Sequence, residues 1–240
     1  RGQLVAVSRE TKEQIRIGVK DSWLVGLGLI PLGLAFGLLI SQTGFAWWWA
    51  PIFSTIVYAG SMEFLAIDMV VSGLGPFSSA LTAFMVNFRH IFYGLTFPRD
   101  VVPRGLPTAY VTYGLTDEAY AVTSTLRGRP TGPRILTIVA LVNVIWLLSG
   151  IAGALVGNVI PDNIEGFEFA LTSLFAVLAY EAFQSSRDLS GPLIAGGLAV
   201  LAAFVVPGQV IIAGLLAYFG VLLLRFWAPR IDDLLTWRVR

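Results

Sequence analysis

Charge is what this chain has least of. Of its 240 residues 13% are Asp, Glu, Lys or Arg and 56% are hydrophobic. A soluble domain carries about 25% charged and about 45–50% apolar residues, so a water-facing surface cannot be built from what is here. Cysteine is absent, which excludes disulfides, thiolate metal sites and cysteine nucleophiles. A single histidine excludes any multi-histidine zinc site. Neither a metal nor a cofactor is therefore expected. The 16 basic and 15 acidic residues leave a net charge of +1, which offers nucleic acid no partner. An enzyme is not expected either, because His90 has no serine at a known motif spacing.

What is present is a series of long uncharged runs. A spanning helix needs about 20 apolar residues, and the runs Ser22–Ile40, Ala46–Met62, Met69–Phe88, Ile135–Pro161 and Leu189–Leu224 supply them. The last is long enough for two spans around Pro207–Gly208. Phe169–Tyr180 and Leu106–Leu126 are shorter or more polar candidates. The fold class expected is an all-α polytopic integral membrane protein with seven or eight transmembrane helices, some of them discontinuous. Residues 1–21 form a charged lead-in without a signal-peptide core, 22–226 the transmembrane domain and 227–240 a polar tail. Both ends are expected on the cytoplasmic side. Eight spans put 13 of the 16 basic residues inside, with Arg99 and Arg104 outside and Arg89 within a span, as the positive-inside rule favours. Trp47-Trp48-Trp49 reads as an interfacial aromatic belt at the outer end of the second span.

The few charges inside the runs carry the information, since Asp or Arg at a helix centre costs about 2.5–3.5 kcal/mol on insertion scales and such residues turn inward. Three clusters stand out: Tyr58-Ala-Gly-Ser-Met-Glu63, with Asp68 beyond it; Asn87-Phe-Arg-His-Ile-Phe-Tyr-Gly94; and Thr116-Asp-Glu-Ala-Tyr120. Each breaks an apolar helix with polar groups or glycine, and broken helices within a membrane are tolerated only around a site or cavity. A half-helix N-terminus suits a carboxylate and an acidic side chain suits an ammonium group, so the clusters fit a zwitterion. The candidate substrate-binding residues are Tyr58, Gly60, Ser61, Glu63, Phe64, Asn87, Arg89, Phe92, Tyr93 and Asp117. Proton-coupling candidates are Glu63, His90, Asp117 and Glu118. Arg89 is open to a second reading, as one half of a structural ion pair with Glu63 or Asp117. Neighbours on a helix point about 100° apart; Asp117 is taken as the inward one and Glu118 as facing a vestibule. Glycines at close-packing spacing, such as Gly33/Gly37 and Gly150/Gly153/Gly157, mark helix contacts. Ala80-Leu-Thr82 and Ala170-Leu-Thr172 hint at two related halves in an inverted repeat.

The stretch Gly18–Ser22 leading into Ile30–Gly37 resembles the start of the AzlC family, the large subunits of branched-chain amino acid exporters. The likeness continues through Tyr58–Phe64, Asn87–Tyr93, Leu115–Tyr120, Gly166–Ala170 and Pro207–Gln209, and covers about Gly18 to Arg225. Actinobacterial BrnF-type members look closest. Asn87 stands where some relatives carry Asp. The resemblance implies export of leucine, isoleucine and valine, with methionine, driven by the proton motive force across a bacterial inner membrane. It also implies a small AzlD (BrnE)-like membrane subunit as partner; a dimer of such heterodimers is one assembly to expect. A channel, or an exporter of another small zwitterionic or organic solute, is the alternative.

Overall fold

The computed structural model describes residues 9–157, 159 and 187–237, with 172, 176, 179, 180, 183 and 184 between them. The loop 161–168, most of the candidate span 169–180 and Glu181 lie outside the described residues. Every regular element among the described residues is helical: α1 (Arg9–Gln42), α2 (Trp49–Ile56), α3 (Gly60–Val71), α4 (Pro76–Asn87), α5 (Arg89–Thr96), α6 (Leu106–Tyr113), α7 (Asp117–Ser124), α8 (Gly132–Gly157), α9 (Ser190–Val205), α10 (Val210–Trp227) and α11 (Pro229–Leu235). Three stretches are long and apolar enough to cross a membrane: α1, α8 and Pro207–Trp227. The chain divides into two compact units, 1–67 with 87–170 and 68–86 with 171–240.

The first unit is organised by α1 and α8. The residues α1 buries, Gly18, Ser22, Gly26, Leu29, Gly33, Phe36, Gly37 and Ile40, recur every three or four positions and form one stripe of mostly small side chains. A Cβ on Gly18 would lie 2.9 Å from the Arg134 carbonyl oxygen, and one on Gly37 would collide with the Gly150 carbonyl and lie 2.5 Å from the Ala154 nitrogen. Gly153 likewise faces the backbone of Leu34, and Gly157 faces Ser41. Contact positions rise together along both helices, so α1 and α8 run parallel with backbones nearly touching. This is the small-residue packing open to helices in lipid, where burial of apolar surface gives no driving force. Pro31 sits on the exposed side and α1 continues through it.

Two segments read from hydropathy as spans are instead pairs of short helices that fold back. Ser54 in α2 hydrogen-bonds Glu63 in α3 at 2.7 Å, nine residues along; a straight helix would separate them by about 13.5 Å. The turn between them holds Tyr58 at φ 41°, a left-handed conformation that is an outlier for a bulky residue. The α6–α7 pair also returns to its starting level. Arg129, after α7, pairs with Asp100, before α6, and Gly132 sits 2.6 Å (from its would-be Cβ) from the Val101 carbonyl oxygen. Phe97, Val102, Val111, Ala119, Ile135 and Val139 close a common core at that end. The turn is Gly114-Leu115-Thr116, and Thr116 caps α7 by accepting from the Ala119 amide at 3.4 Å. Leu106-Pro107 starts α6 with proline in the first turn, where its missing N–H costs nothing.

This geometry corrects the expected sidedness of one loop. Arg134 pairs with Asp21 at 2.6 Å and Thr131 donates to Gln14 at 2.8 Å, so the 127–134 segment lies at the N-terminal end of α1. The Asp100–Arg129 pair brings the Arg99–Arg104 loop to that same end. Arg99 and Arg104 therefore lie at the same end as Arg127, Arg129 and Arg134 and not opposite them. The physical reason is that a hairpin of two eight-residue helices returns the chain to its side of entry, where a spanning helix would not.

In the second unit α9 and α10 are joined by the 3-10 turn Pro207–Gln209, as the Pro-Gly break predicts. Near its end α10 places Arg225 against Asp188 at 2.9 Å and Asp232 at 2.6 Å, which ties α11 to the start of α9.

Gly37→Leu is expected to prevent α1–α8 docking and to lose the folded protein on detergent size exclusion, since overpacking costs about 1–3 kcal/mol and often more. Gly28→Leu, with no atom within 4 Å, is expected to be silent. With no native cysteine to interfere, Arg104→Cys and Arg127→Cys should react with an impermeant maleimide from one and the same side of the membrane. Labelling from opposite faces would rule out the hairpin.

Candidate functional site

The two hairpins of the first unit meet at their turns. Tyr58 of one stacks on Tyr113 of the other, with ring centroids 5.1 Å apart and planes 22° from parallel, and the Tyr113 hydroxyl donates to the Thr55 carbonyl at 2.8 Å. The turns also share a pattern: Tyr58-Ala-Gly-Ser-Met-Glu63 and Tyr113-Gly-Leu-Thr-Asp-Glu118 both read Tyr-x-x-Ser/Thr-x-Glu, 55 residues apart. Each places its hydroxyl residue at the start of a helix and its glutamate in the first turn. The likeness between Ala80–Thr82 and Ala170–Thr172 lies in apolar runs elsewhere, and its second copy falls largely outside the described residues.

Glu63 is fully buried. Its Oε2 accepts from Ser54 at 2.7 Å and its Oε1 from the Trp146 indole N–H at 2.9 Å. Glu63 and Glu118 both line one cavity with Leu29, Tyr58, Gly60, Thr116, Val142 and Trp146. That cavity measures about 10 Å³, at the lower edge of the room one water molecule needs. The Tyr58 hydroxyl is out of solvent; it is turned toward Asn143 without reaching a hydrogen-bond partner at normal length.

Beside this cavity Arg89 bridges the hairpins. Its Nε donates to Asp117 Oδ1 at 2.7 Å and its Nη2 to Asp117 Oδ2, a two-pronged pair, and Nη2 also reaches Ser61 Oγ at 3.4 Å. The side chains retain 36% and 31% of their exposure, so the pair is accessible from one side. Of the two ion-pair partners open to Arg89 on sequence grounds, the structure selects Asp117 and gives Glu63 neutral donors. The split between Asp117 and Glu118 also differs from expectation: Glu118 lines the cavity with Glu63, while the 100° step between neighbours aims Asp117 at Arg89.

The other candidates surround this centre unevenly. Gly60 lies 3.3 Å (would-be Cβ) from the Trp146 ring, which fills the space a side chain would take. Tyr93 stacks on Tyr120 at 4.2 Å and touches His90 at 5.4 Å, and His90 Nδ1 lies 3.1 Å from the Asn87 carbonyl oxygen. Phe64 is buried edge-on against Phe36 at 5.6 Å, while Phe92 is 56% exposed and packs on Phe88. Neither phenylalanine walls the cavity. Sequence reasoning missed Ser54, Thr116 as a lining residue, and Trp146. The last had a signal: it is the one aromatic residue in the run Ile135–Pro161, and an indole N–H inside lipid needs an acceptor.

Fold and site together define a helical membrane protein with two inward-folded hairpins that bring charged groups together between apolar helices. The AzlC protein family matches residues 25–160, a range that contains both hairpins, and the chain belongs to that family. It is 30% identical over 199 residues to the "Branched-chain amino acid transport protein AzlC" of Bacillus subtilis, covering 81% of this chain and 78% of that one. It is 27% identical over 228 residues to the "Inner membrane protein YgaZ" of Escherichia coli, covering 90% and 93%. An "Uncharacterized membrane protein" of Haemophilus influenzae is 28% identical over 178 residues, covering 72% and 73%. No solved structure matches the chain.

Trp146→Phe keeps the ring and removes the donor to Glu63. Leaving a buried oxygen unsatisfied costs about 1–3 kcal/mol, so Tm in detergent should fall by about 2–4 °C per kcal/mol. An unchanged Tm would show that the indole hydrogen bond contributes nothing.

Proposed function

We propose that this protein is a secondary transporter that exports branched-chain amino acids (leucine, isoleucine and valine, with methionine) and is driven by the proton motive force. The observation that carries the reading is the half-exposed Arg89–Asp117 pair between two facing helix breaks. A zwitterion carries the same two charges as that pair and can replace it partner for partner. Its carboxylate takes Arg89 and the N-terminal end of α3 near Gly60-Ser61, and its ammonium group takes Asp117. No net charge is created in a low-dielectric site, which is the condition for moving such a molecule through lipid depth. The name of the Bacillus subtilis relative supports the substrate class.

Tyr58, Tyr93 and Asn87 stand around this exchange, and Phe64 and Phe92 serve the aliphatic side chain once the hairpins part. Glu63, Asp117, Glu118 and His90 are the groups able to carry the coupling proton. The protein works in the bacterial inner membrane with a small AzlD/BrnE-like subunit, both termini in the cytoplasm. The hairpins α2–α3 and α6–α7 are re-entrant, and α1, α8, α9 and α10 are among the segments that cross. With Arg99 and Arg104 at the same end as Arg127, Arg129 and Arg134, the positive-inside rule favours that end as cytoplasmic.

Arg89→Ala should abolish leucine efflux from loaded membrane vesicles while the protein remains membrane-inserted in normal amount. Normal efflux from this variant would refute the assignment; efflux of other solutes with leucine excluded would favour an exporter of a different zwitterion.

A further inference from the structure

We propose that the end of the first unit where the α6–α7 hairpin opens binds the headgroups of anionic phospholipids, and that Arg99, Arg104 and Arg127 make the contact. This surface is separate from the Arg89–Asp117 pair, and it would hold the same lipid whatever solute the protein carries.

The acidic groups at this end are already matched. Asp100 pairs with Arg129, Asp21 with Arg134, and Glu13 lies beside Arg16. Glu10, at the outer end of α1, is outnumbered by Arg9, Lys12 and Lys20. Arg99, Arg104 and Arg127 are left over: all three are exposed, and none has an acidic partner among the described residues. The fold brings the loops that carry them side by side. Asp100 and Arg129 tie one loop to the other, and the Val101 carbonyl oxygen lies 2.6 Å from a would-be Cβ on Gly132. The excess is confined to this end, because α1 runs at its other end into Thr43–Trp49, which contains no charge.

Apolar surface adjoins the charge. Leu106 stands two residues after Arg104 and is 87% exposed, and Leu95 stands four residues before Arg99 and is 77% exposed. Gly105, at φ 105°, makes the turn between Arg104 and Leu106. A free anion would use the arginines and leave the leucines uncovered. A phospholipid meets both: its phosphate accepts charge-assisted hydrogen bonds from the guanidinium groups, and its acyl chains lie against the leucines. Each basic residue beside an anionic lipid surface strengthens binding about fivefold, so the three together contribute about a hundredfold. A headgroup lying across both loops also adds to the Asp100–Arg129 link at the mouth of the hairpin, so bound lipid should raise Tm.

The test uses the full-length protein, purified in detergent and stripped of lipid. Binding of phosphatidylglycerol is compared with that of phosphatidylcholine bearing the same acyl chains, and inorganic phosphate is offered as a competitor. Wild type should prefer phosphatidylglycerol, gain Tm from it, lose the preference as salt screens the arginines, and keep the lipid when phosphate is added. The triple variant Arg99→Gln, Arg104→Gln, Arg127→Gln should bind phosphatidylglycerol about a hundredfold more weakly and show no gain in Tm. The triple variant Arg99→Lys, Arg104→Lys, Arg127→Lys keeps the charge and should bind as wild type does; Arg230→Gln, in the second unit, should change nothing. If the glutamine triple variant does not fold, the single glutamine variants replace it, each with an expected loss of about fivefold. Equal affinity of wild type for the two lipids, displacement of the lipid by inorganic phosphate, or undiminished binding by the glutamine variants would overturn the proposal.

Discussion

The glycine-lined contact between α1 and α8 is the constraint on which the first unit depends. With Gly33 and Gly37 against Ser149 and Gly150, the two helices form one rigid ribbon whose outer edges carry Leu29, Phe36, Val142 and Trp146. Those side chains are the floor against which the hairpins pack: Phe36 meets Phe64, Trp146 meets Gly60 and Glu63, and Val139 fills the space over Gly114. Bulk at any of the glycines would move the floor, and with it the register between the two turns. Position of the charged centre is therefore set by residues with no charge and almost no side chain.

On that floor the chemistry divides into two compartments. Arg89 and Asp117 form a balanced, partly exposed ion pair. Glu63 and Glu118 line a small cavity beside it. Asp117 and Glu118 are adjacent in sequence, so one turn of α7 links the compartments, and the capped start of that helix at Thr116 fixes the aim of both. Left-handed Tyr58 does the corresponding work on the other hairpin, at a strain of about 1–3 kcal/mol that the surrounding packing must hold.

Much of the site was legible in the sequence. Glu63, Arg89 and Asp117 stand out because lipid rejects charge, and the structure gathers all three within the first unit. The folding-back of Ala46–Met62 and of Leu106–Leu126 was not legible, because a hydropathy window reports how apolar a segment is and not whether it turns at its middle. The same blindness put Arg99 and Arg104 on the wrong side. The Pro207–Gly208 break was legible, since that dipeptide acts locally. Ser54 was not legible because a serine is not anomalous alone, whereas the lone Trp146 of its run signalled a need for an acceptor without saying which; both matter through the buried carboxylate they meet.

The stack of Tyr58 on Tyr113 has a bearing on speed. Little holds the two turns together. Parting them breaks one aromatic stack worth about 0.5–1.5 kcal/mol and one hydrogen bond worth about 0.5–1.5 kcal/mol net. Thermal motion opens a latch that weak readily. The aromatic contact thus aligns the two turns without locking them.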